Sequence, residues 1–279
     1  MPNLRTALAD ATARLGQSDT AALDAQLLLA HVLGKTRTWL YTWPAHELDT
    51  AQINALEALV SRAEKGEPVA YLTGKRAFWT MTLEVTPAVL IPRPETELLV
   101  ELALEVGKTL PGPVADLGTG SGAIALALAS ERSDWQLHAT DLSEAALEVA
   151  RANATRLGFT NVQFLQGSWC EPLPSAYYSL IVSNPPYVAD DDPHLPALAF
   201  EPQCALIAGD RGLADLRNIA AQACSRLQSN GWLLLEHGWQ QGEAVRGLLQ
   251  SFGYADVATR QDGGNRDRVT LGRWTEHPG

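Results

Sequence analysis

The region after Pro113 alternates between short apolar runs and amphipathic segments, and this alternation constrains the fold more than any other feature. Seven runs have the length and composition of strands. In chain order they are VADL, WQLHATD, VQFLQ, YSLIVS, GWLLLEH, ADVAT and RVTLG. Segments with helical periodicity lie between most of them. Strands that alternate with helices pair in parallel, so we predict an α/β, doubly wound, seven-stranded and mostly parallel sheet with helices on both faces.

The N-terminal part of the chain has a different pattern. Its first 65 residues or so contain only helical periodicity, with one predicted helix ending at Gly34 and another beginning near Thr50. From Tyr71 the apolar period changes to two, which is typical of a hairpin. We therefore predict a small all-α domain over residues 1–70, a β-hairpin linker over residues 71–92 and a catalytic domain over residues 93–279.

Composition narrows the function classes. The sequence has no apolar run long enough to span a bilayer and no segment with the features of a signal peptide, so we expect a cytoplasmic protein. Almost all of the net charge of −11 lies after Thr86, where 13 basic and 23 acidic residues occur, and this disfavours nucleic-acid binding. Cys170, Cys204 and Cys224 lack the spacing of metal ligands or disulfides, so we predict buried free thiols and no metal.

A glycine loop follows the strand VADL. Gly118, Gly120 and Gly122 stand where doubly wound folds bind a cofactor, and glycine allows the backbone to approach a ligand closely. Asp116, near the strand end, would repel a pyrophosphate and suits a ligand with an ammonium group. S-adenosylmethionine has an ammonium, a sulfonium and no phosphate. We therefore interpret the loop as a site for S-adenosylmethionine.

A second acid supports this interpretation. Asp141 ends the next strand, 23 residues after Gly118. In related folds an acid about 20 residues beyond the first glycine holds the ribose hydroxyls. The alternative is a plain strand-to-helix turn in which Asp141 caps a helix. The combination of the glycine loop with this acid favours the cofactor site.

The motif Asn-Pro-Pro-Tyr ends the strand YSLIVS, beside the proposed cofactor loop. An NH₂ group on an sp² carbon is a poor nucleophile because its lone pair is delocalised. The Asn184 side-chain oxygen and the Pro185 carbonyl can accept its two N–H bonds and stabilise the positive charge that develops there. Pro185 and Pro186 stiffen the loop, and Tyr187 offers a flat face.

This motif predicts methyl transfer to a planar amino or amide nitrogen. DNA adenine, RNA and protein glutamine all fit as acceptors. The alternative without function is an ordinary Pro-Pro turn after a buried strand. The presence of the glycine loop and Asp141 earlier in the chain disfavours that alternative.

Four segments together resemble the release factor glutamine methyltransferases of the HemK/PrmC type. They are LIPRPETE, DLGTGSGAIALALA, IVSNPPY and LLLEHGWQQGEAV, and the resemblance runs from about Leu4 to Arg273. It implies an S-adenosylmethionine-dependent methyltransferase sheet with a helical domain that docks the substrate. It also implies N5-methylation of the glutamine side-chain amide in the Gly-Gly-Gln motif of class 1 peptide chain release factors, which modulates translation termination.

The resemblance also assigns roles to residues. It implies catalytic roles for Asn184, Pro185, Pro186 and Tyr187. The implied cofactor contacts are Asp116, Gly118, Thr119, Gly120, Ser121, Gly122, Asp141, Leu142, Trp169 and Asn184. Trp169 resembles the residue that packs on the adenine, although a core tryptophan is the alternative.

Two further sets of residues stay open or are read as structural. Arg93, Glu95 and Glu97 lie either near the active site or in a surface turn that caps a helix. We interpret His237 as structural, because methylation of an amide by a sulfonium requires no general base.

Other functions use the same motifs. A glutamine methyltransferase for a ribosomal protein differs only in its partner. A DNA adenine methyltransferase is disfavoured by the acidic charge and by the lack of an obvious target-recognition domain. An inactive cofactor-binding module is disfavoured by the intact Asn-Pro-Pro-Tyr motif. We expect a monomer that acts on release factors and binds neither nucleic acid nor membrane.

Overall fold

The computed structural model describes residues 2–275, and the chain divides after Lys75 into two compact units. The first unit is entirely helical. Its helices are α1 (Leu4–Arg14), α2 (Ala21–Leu33), α3 (Arg37–Thr42), α4 (Thr50–Ala63) and α5 (Val69–Thr73). The division falls at Lys75 rather than at residue 70, because α5, which the sequence did not predict, continues the helical unit.

Capping residues and buried leucines account for the helical unit. Asn3 and Asp49 each form a capping box at the start of a helix, and Gly34 ends α2 in the left-handed conformation. The apolar faces of the helices meet in a core that contains the fully buried Leu28 and Leu48. This core is separate from those of the second unit.

A two-stranded hairpin follows, formed by β1 (Lys75–Phe78) and β2 (Met81–Glu84). We predicted a linker here, but Phe78 and Leu83 are buried in a core of the second unit. Asn153 also exchanges hydrogen bonds of 2.7 and 2.9 Å with the backbone of β2. The hairpin therefore belongs structurally to the second unit.

The second unit is built on one seven-stranded sheet. Its strands are β3 (Val114–Leu117), β4 (Leu137–Asp141), β5 (Val162–Gln166), β6 (Tyr178–Ser183), β7 (Leu227–Glu236), β8 (Ala255–Gln261) and β9 (Asp267–Arg273). Their order is β5-β4-β3-β6-β7-β9-β8. All pairs from β5 to β7 are parallel, and β9 runs antiparallel to both of its neighbours. The predicted doubly wound, mostly parallel sheet is confirmed.

Helices cover both faces of this sheet. They are α6 (Glu97–Val106), α7 (Ala123–Glu131), α8 (Glu144–Leu157), the short α9 (Gly209–Gly212), α10 (Ala214–Cys224) and α11 (Gly242–Ser251). Side chains of β3 alternate between two cores, because successive residues of a strand point to opposite faces. Val114 packs in the core with α6 and α7, whereas Ala115 and Leu117 pack in the core with α10 and α11.

The strand order creates a switch point at β3. The chain proceeds from β3 to β4 on one side, while β6 pairs on the other side. Leu117 and Ser183 are register partners, so the loops that follow β3 and β6 begin side by side. In open α/β sheets, ligands bind in the crevice at this position.

Two sequence predictions about side chains and helices can be compared with this fold. Cys170 is buried and Cys224 is half-buried, but Cys204 is exposed, so the prediction of buried thiols is wrong there. Cys204 lies in a short 3₁₀ turn, Gln203–Ala205, which has no buried residue. None of the described helices is long and apolar enough to cross a membrane.

Candidate active site

A cavity of about 700 Å³ lies in the second unit at the carboxyl ends of the central strands. Nine of the predicted site residues line it: Gly118, Thr119, Gly120, Ser121, Asp141, Leu142, Trp169, Asn184 and Pro186. Four predicted residues are not among its lining residues: Asp116, Gly122, Pro185 and Tyr187. Both sequence motifs therefore contribute to the wall of one cavity.

The glycine loop turns sharply because its three glycines have positive φ angles. Gly118, Gly120 and Gly122 have φ values of 72°, 56° and 84°, which side chains disfavour. The N–H groups of Gly118 and Thr119 donate to the Thr140 carbonyl at 2.8 and 2.9 Å. A Cβ on Gly120 would meet no protein atom within 4 Å, so this residue faces open space. The loop is thus fixed to β4 while its surface stays free for a ligand.

Asp116 supports the loop from behind. Its side chain is fully buried, and Oδ2 accepts hydrogen bonds from Thr119 Oγ1 at 2.7 Å and from the Ala125 N–H at 3.1 Å. Burial raises the pKa of Asp116 to about 7. Oδ2 thus faces the loop and the start of α7, whereas the buried Oδ1 has no hydrogen-bond partner among residues 2–275, and the direct cofactor contact stays a prediction.

Asp141 combines a structural contact with exposure to the cavity. Its carboxylate accepts hydrogen bonds from the N–H groups of Gly120 and Ser143, both at 2.9 Å. Burial is the main cause of a raised pKa of Asp141, and these backbone hydrogen bonds oppose it. The neighbouring Leu142 is 73% exposed and lines the cavity. A cavity wall with one carboxylate beside an apolar side chain suits a ribose next to a flat base.

Trp169 packs next to the glycine loop. Its backbone has a φ of 47°, and its carbonyl accepts a hydrogen bond from Thr140 Oγ1 at 2.9 Å. A Cβ on Gly118 would come within 3.1 Å of the indole ring. The ring packs partly against the core and also lines the cavity. Trp169 is therefore both a core residue and a cavity-lining residue.

Asn184 presents an acceptor without a partner. Its Nδ2 donates to Thr96 Oγ1 at 3.1 Å. Within residues 2–275, the buried Oδ1 of Asn184 has no hydrogen-bond partner. A buried polar atom without a partner is costly, and at a cavity wall it indicates a ligand that donates to it. This is the atom that the sequence predicts as the acceptor for an amino or amide N–H.

Tyr187 is placed differently from our prediction. Its ring packs against the core that contains α10 and α11, and its hydroxyl donates to Glu236 Oε1 at 3.4 Å. Burial raises the pKa of this hydroxyl. Its backbone carbonyl accepts from Gln241 Nε2 at 3.1 Å. Tyr187 therefore anchors the motif instead of offering a flat face to the cavity.

Arg93 and Glu97 are two of the three positions with alternative roles, near the active site or in a capping turn. Arg93 lines the cavity and forms an ion pair with the buried Glu201, which also accepts the Ile91 N–H at 3.1 Å. Glu97 accepts the Trp79 N–H at 2.8 Å and so joins α6 to the hairpin.

His237 is fully buried, with Nε2 at 2.8 Å from Thr270 Oγ1. Desolvation lowers the pKa of its ring, and the hydrogen bond to the Gly238 carbonyl opposes this. His237 is not among the lining residues of the cavity. This placement agrees with a structural role.

Sequence reasoning missed two groups that contact residues of the Asn-Pro-Pro-Tyr motif. Thr96, which contacts the Asn184 amide, lies in the segment LIPRPETE, whose pattern assigns it no role, and Glu236 contacts Tyr187. Glu236 is a buried acid that ends β7. A charged residue at the end of an apolar strand was the available signal for Glu236. Within residues 2–275, no group of His, Cys, Asp and Glu side chains has the arrangement of a metal site.

Comparison with known proteins agrees with this architecture. The PrmC N-terminal domain family matches residues 6–74, and the methyltransferase small domain family matches residues 94–199. A release factor glutamine methyltransferase of Vibrio cholerae is 51% identical, with 97% of this chain and 96% of the relative covered. The protein of the same name from Escherichia coli is 48% identical, with 96% and 97% covered.

Solved structures of lower identity share the fold. A ribosomal protein L11 methylase from Lactobacillus delbrueckii subsp. bulgaricus has a TM-score of 0.52 at 20% identity and covers 69% of this chain and 84% of its own. A 16S rRNA methyltransferase from Thermus thermophilus, solved with S-adenosylmethionine and guanosine, has a TM-score of 0.54 at 20% identity and covers 71% and 49%.

The doubly wound sheet, the methyltransferase domain match and the relatives of near-full-length identity together place the chain among the methyltransferases. The near-full-length identity to named relatives goes further. The chain belongs to the release factor glutamine methyltransferase family.

Proposed function

We propose that the protein transfers a methyl group from S-adenosylmethionine to the glutamine side-chain amide nitrogen in the Gly-Gly-Gln motif of class 1 peptide chain release factors. The relatives at 48–51% identity support the partner, since they are named for it. The single observation that carries the chemistry is the buried Asn184 Oδ1 without a hydrogen-bond partner at the cavity wall. In this proposal, the glutamine amide supplies the missing N–H donor.

The cavity fits S-adenosylmethionine. Its volume of about 700 Å³ lies in the range of small-molecule sites, and Gly120 leaves open space where a side chain would intrude. Gly118 and Gly120 would hold the methionine portion, Asp141 the ribose hydroxyls and Trp169 the adenine. When bound, the cofactor supplies a sulfonium methyl that the amide nitrogen takes, while the C–S bonding electrons stay on sulfur and one N–H proton leaves to water.

The residues of the acceptor loop orient the amide and stabilise its charge. Asn184 Oδ1 accepts one N–H of the glutamine, and the Pro185 carbonyl accepts the other. Two fixed acceptors hold the nitrogen in place and favour the positive charge that develops as the new bond forms. Because Pro185 and Pro186 have fixed φ angles, the acceptors do not have to be ordered when the substrate binds.

The helical unit is proposed as the surface that docks the release factor. Its family match is to the PrmC N-terminal domain, and it exposes the large aromatic side chains of Tyr41 and Trp43. Exposed aromatic residues are enriched at protein interfaces. We expect Trp43→Ala to raise KM for release factor and leave kcat unchanged. An unchanged KM would argue against this surface. We further propose that the protein acts in the cytoplasm as a monomer, without direct binding to nucleic acid.

The test offers labelled S-adenosylmethionine with three acceptors in parallel. They are unmethylated release factor, unmethylated duplex DNA and a mixture of ribosomal proteins from a strain without the enzyme. The proposal predicts label on release factor, mapped by mass spectrometry to the glutamine of Gly-Gly-Gln. A release factor with that glutamine replaced by alanine is the matched control and should take no label.

The three acceptors separate the competing functions. Label on DNA would replace the proposal with adenine methylation, which the same acceptor loop could perform. Label on a ribosomal protein alone would keep glutamine chemistry and change the partner. Absence of label on all three, with the cofactor bound, would contradict methyl transfer.

A further inference from the structure

The Asn184 side-chain amide can present either a hydrogen-bond acceptor or a hydrogen-bond donor to the cavity, depending on its orientation. A primary amide has an oxygen that accepts and an NH₂ group that donates, and the two ends have nearly the same shape. Only the oxygen end can accept an N–H of the substrate. A group must therefore fix which end of Asn184 faces the cavity, and prolines in the backbone cannot do this.

Thr96 is placed to fix this end. It lies in the 3₁₀ turn Pro94–Thr96 just before α6, and its side chain is buried. Its Oγ1 accepts a hydrogen bond from Asn184 Nδ2 at 3.1 Å. This contact leaves Asn184 Oδ1 as the end without a partner. Thr96 itself lines the cavity.

A hydroxyl can accept and donate, so the polarity of Thr96 depends on its other partner. That partner is Glu236, which is buried at the end of β7. Thr96 lies close enough to Glu236 for its hydroxyl to lower the pKa of Glu236, and the buried Glu236 Oε2 has no hydrogen-bond partner among residues 2–275. The Tyr187 hydroxyl also donates to Glu236 Oε1, at 3.4 Å. Ionised Glu236 can only accept, so the Thr96 proton points to it and the Thr96 oxygen is left to accept from Asn184.

We propose that Thr96 and Glu236 are positioning residues that lock the Asn184 amide with its oxygen toward the substrate. This inference rests on the proposed function, because it assumes that the acceptor donates an N–H. In this proposal Asn184 Nδ2 donates to Thr96 Oγ1, and the Thr96 hydroxyl turns its proton toward the unpartnered Oε2 of Glu236. Neither Thr96 nor Glu236 needs to touch the reacting atoms.

Protonation of Glu236 would reverse this chain. A neutral carboxyl group can donate to Thr96, whose own proton could then bond the Asn184 oxygen and turn the amide around. Burial raises the pKa of Glu236 to about 7, and Thr96, Tyr187 and Arg268 on β9 act against this rise. The negative charge of Glu95, in the same turn as Thr96, acts with burial. We therefore expect kcat to fall as the pH decreases below about 7.

The experiment compares Thr96→Val, which keeps the shape and removes the hydroxyl, with Thr96→Ser, which keeps the hydroxyl. The assay is methyl transfer from S-adenosylmethionine to unmethylated release factor, with kcat and KM measured separately and cofactor affinity measured by calorimetry. We expect Thr96→Val to lower kcat on the order of 10- to 100-fold, because a misdirected acceptor loses orientation. KM and cofactor affinity should change by less than about threefold, and Thr96→Ser should recover most of kcat.

Two further variants complete the design. Ser179→Ala removes a buried hydroxyl from β6, the strand that precedes Asn184. This hydroxyl contacts the Pro113 carbonyl, and Ser179 does not line the cavity, so the variant should keep the wild-type kcat. Glu236→Gln removes the titratable carboxyl group. The kcat of this variant should therefore not fall below pH 7, even if its value differs from that of the wild type.

The outcomes separate this inference from the proposed function. A wild-type kcat in Thr96→Val, an equal loss in Thr96→Ser, or an unchanged acid limb in Glu236→Gln would each overturn the positioning role while leaving the proposed function intact. Wild-type protein that places no label on release factor would overturn the proposed function and this inference with it.

Discussion

The loops that follow β3 and β6 begin side by side at one edge of the sheet but are built in opposite ways. The loop after β3 has glycines at positive φ, and its N–H groups are bound to Thr140 and Asp141. The loop after β6 has two prolines and presents one side-chain oxygen that has no partner among the described residues. The backbone of the first loop forms part of the cavity wall, whereas the second loop holds one hydrogen-bond acceptor, Asn184 Oδ1, in place.

This difference indicates that the first loop serves cofactor binding and the second serves the methyl-transfer step. A surface made of backbone can fit closely around a cofactor that is bound the same way in each cycle. A rigid side-chain acceptor instead acts on charge that appears only during the reaction, so it contributes to rate more than to binding. Changes in the glycine loop should thus weaken cofactor affinity, and changes at Asn184 should lower kcat.

The largest effect expected in the glycine loop is that of Gly120→Ala. Gly158, which ends α8, is a matched control because both glycines have positive φ and neither would bring a Cβ within 4 Å of a protein atom. Each substitution should reduce the free energy of unfolding by about 1 kcal/mol. Only Gly120→Ala should also weaken cofactor affinity, on the order of tenfold or more (about 1.4 kcal/mol), because its methyl group would enter the cavity space that the cofactor needs. Calorimetry with S-adenosylmethionine and thermal unfolding measure both quantities, and equal affinities would contradict the assignment of this loop.

A smaller effect is expected for Trp169→Leu. Loss of stacking on the adenine should weaken cofactor affinity about tenfold. Trp239→Leu removes an exposed tryptophan that does not line the main cavity and is the matched control. If the two variants bind the cofactor equally well, Trp169 serves the core alone.

A further effect concerns stability rather than cofactor affinity, and it tests whether Asp116 supports the loop. Because the pKa of Asp116 is raised to about 7 in the folded state, folded protein retains a proton that unfolded protein loses near pH 4. The contribution of Asp116 to the free energy of unfolding should therefore fall as the pH rises from about 4 to about 7, and stay constant above that. Asp116→Asn keeps an oxygen for Thr119 and Ala125 but does not titrate. The stability difference between wild type and this variant should shrink across that window, and a constant difference would show that Asp116 titrates normally.

The sheet and the two loops that meet at the cavity could be predicted from the sequence because they depend on local patterns. Buried strands, glycine spacing and prolines each have a short-range signature. The helices α3 and α5 were missed because six and five residues are too few to show a helical period. The hairpin was read as a linker because the sequence pattern gives strands but not the core into which Phe78 and Leu83 pack.

The placement of side chains within the site could not be predicted, for a common physical reason. Asp116 and Tyr187 stand in the motifs that form the site, yet neither lines the cavity: Asp116 Oδ2 accepts from the start of α7, and the Tyr187 hydroxyl donates to Glu236. Thr96 and Glu236 were overlooked because they are 140 positions apart in the chain and meet only in the folded protein. Sequence motifs identify which loops form a site, whereas the direction of each side chain depends on packing between distant elements.

The most direct test of the division between the two loops is Asn184→Ala, measured by cofactor affinity and by methyl transfer to release factor. We predict that transfer falls on the order of 100- to 1000-fold, as when one preorganised polar group is removed from a transition-state site. S-adenosylmethionine should bind Asn184→Ala within about threefold of wild type, because the glycine loop, Asp141 and Trp169 remain. Parallel losses of affinity and transfer would contradict the account, since Asn184 would then belong to the cofactor site.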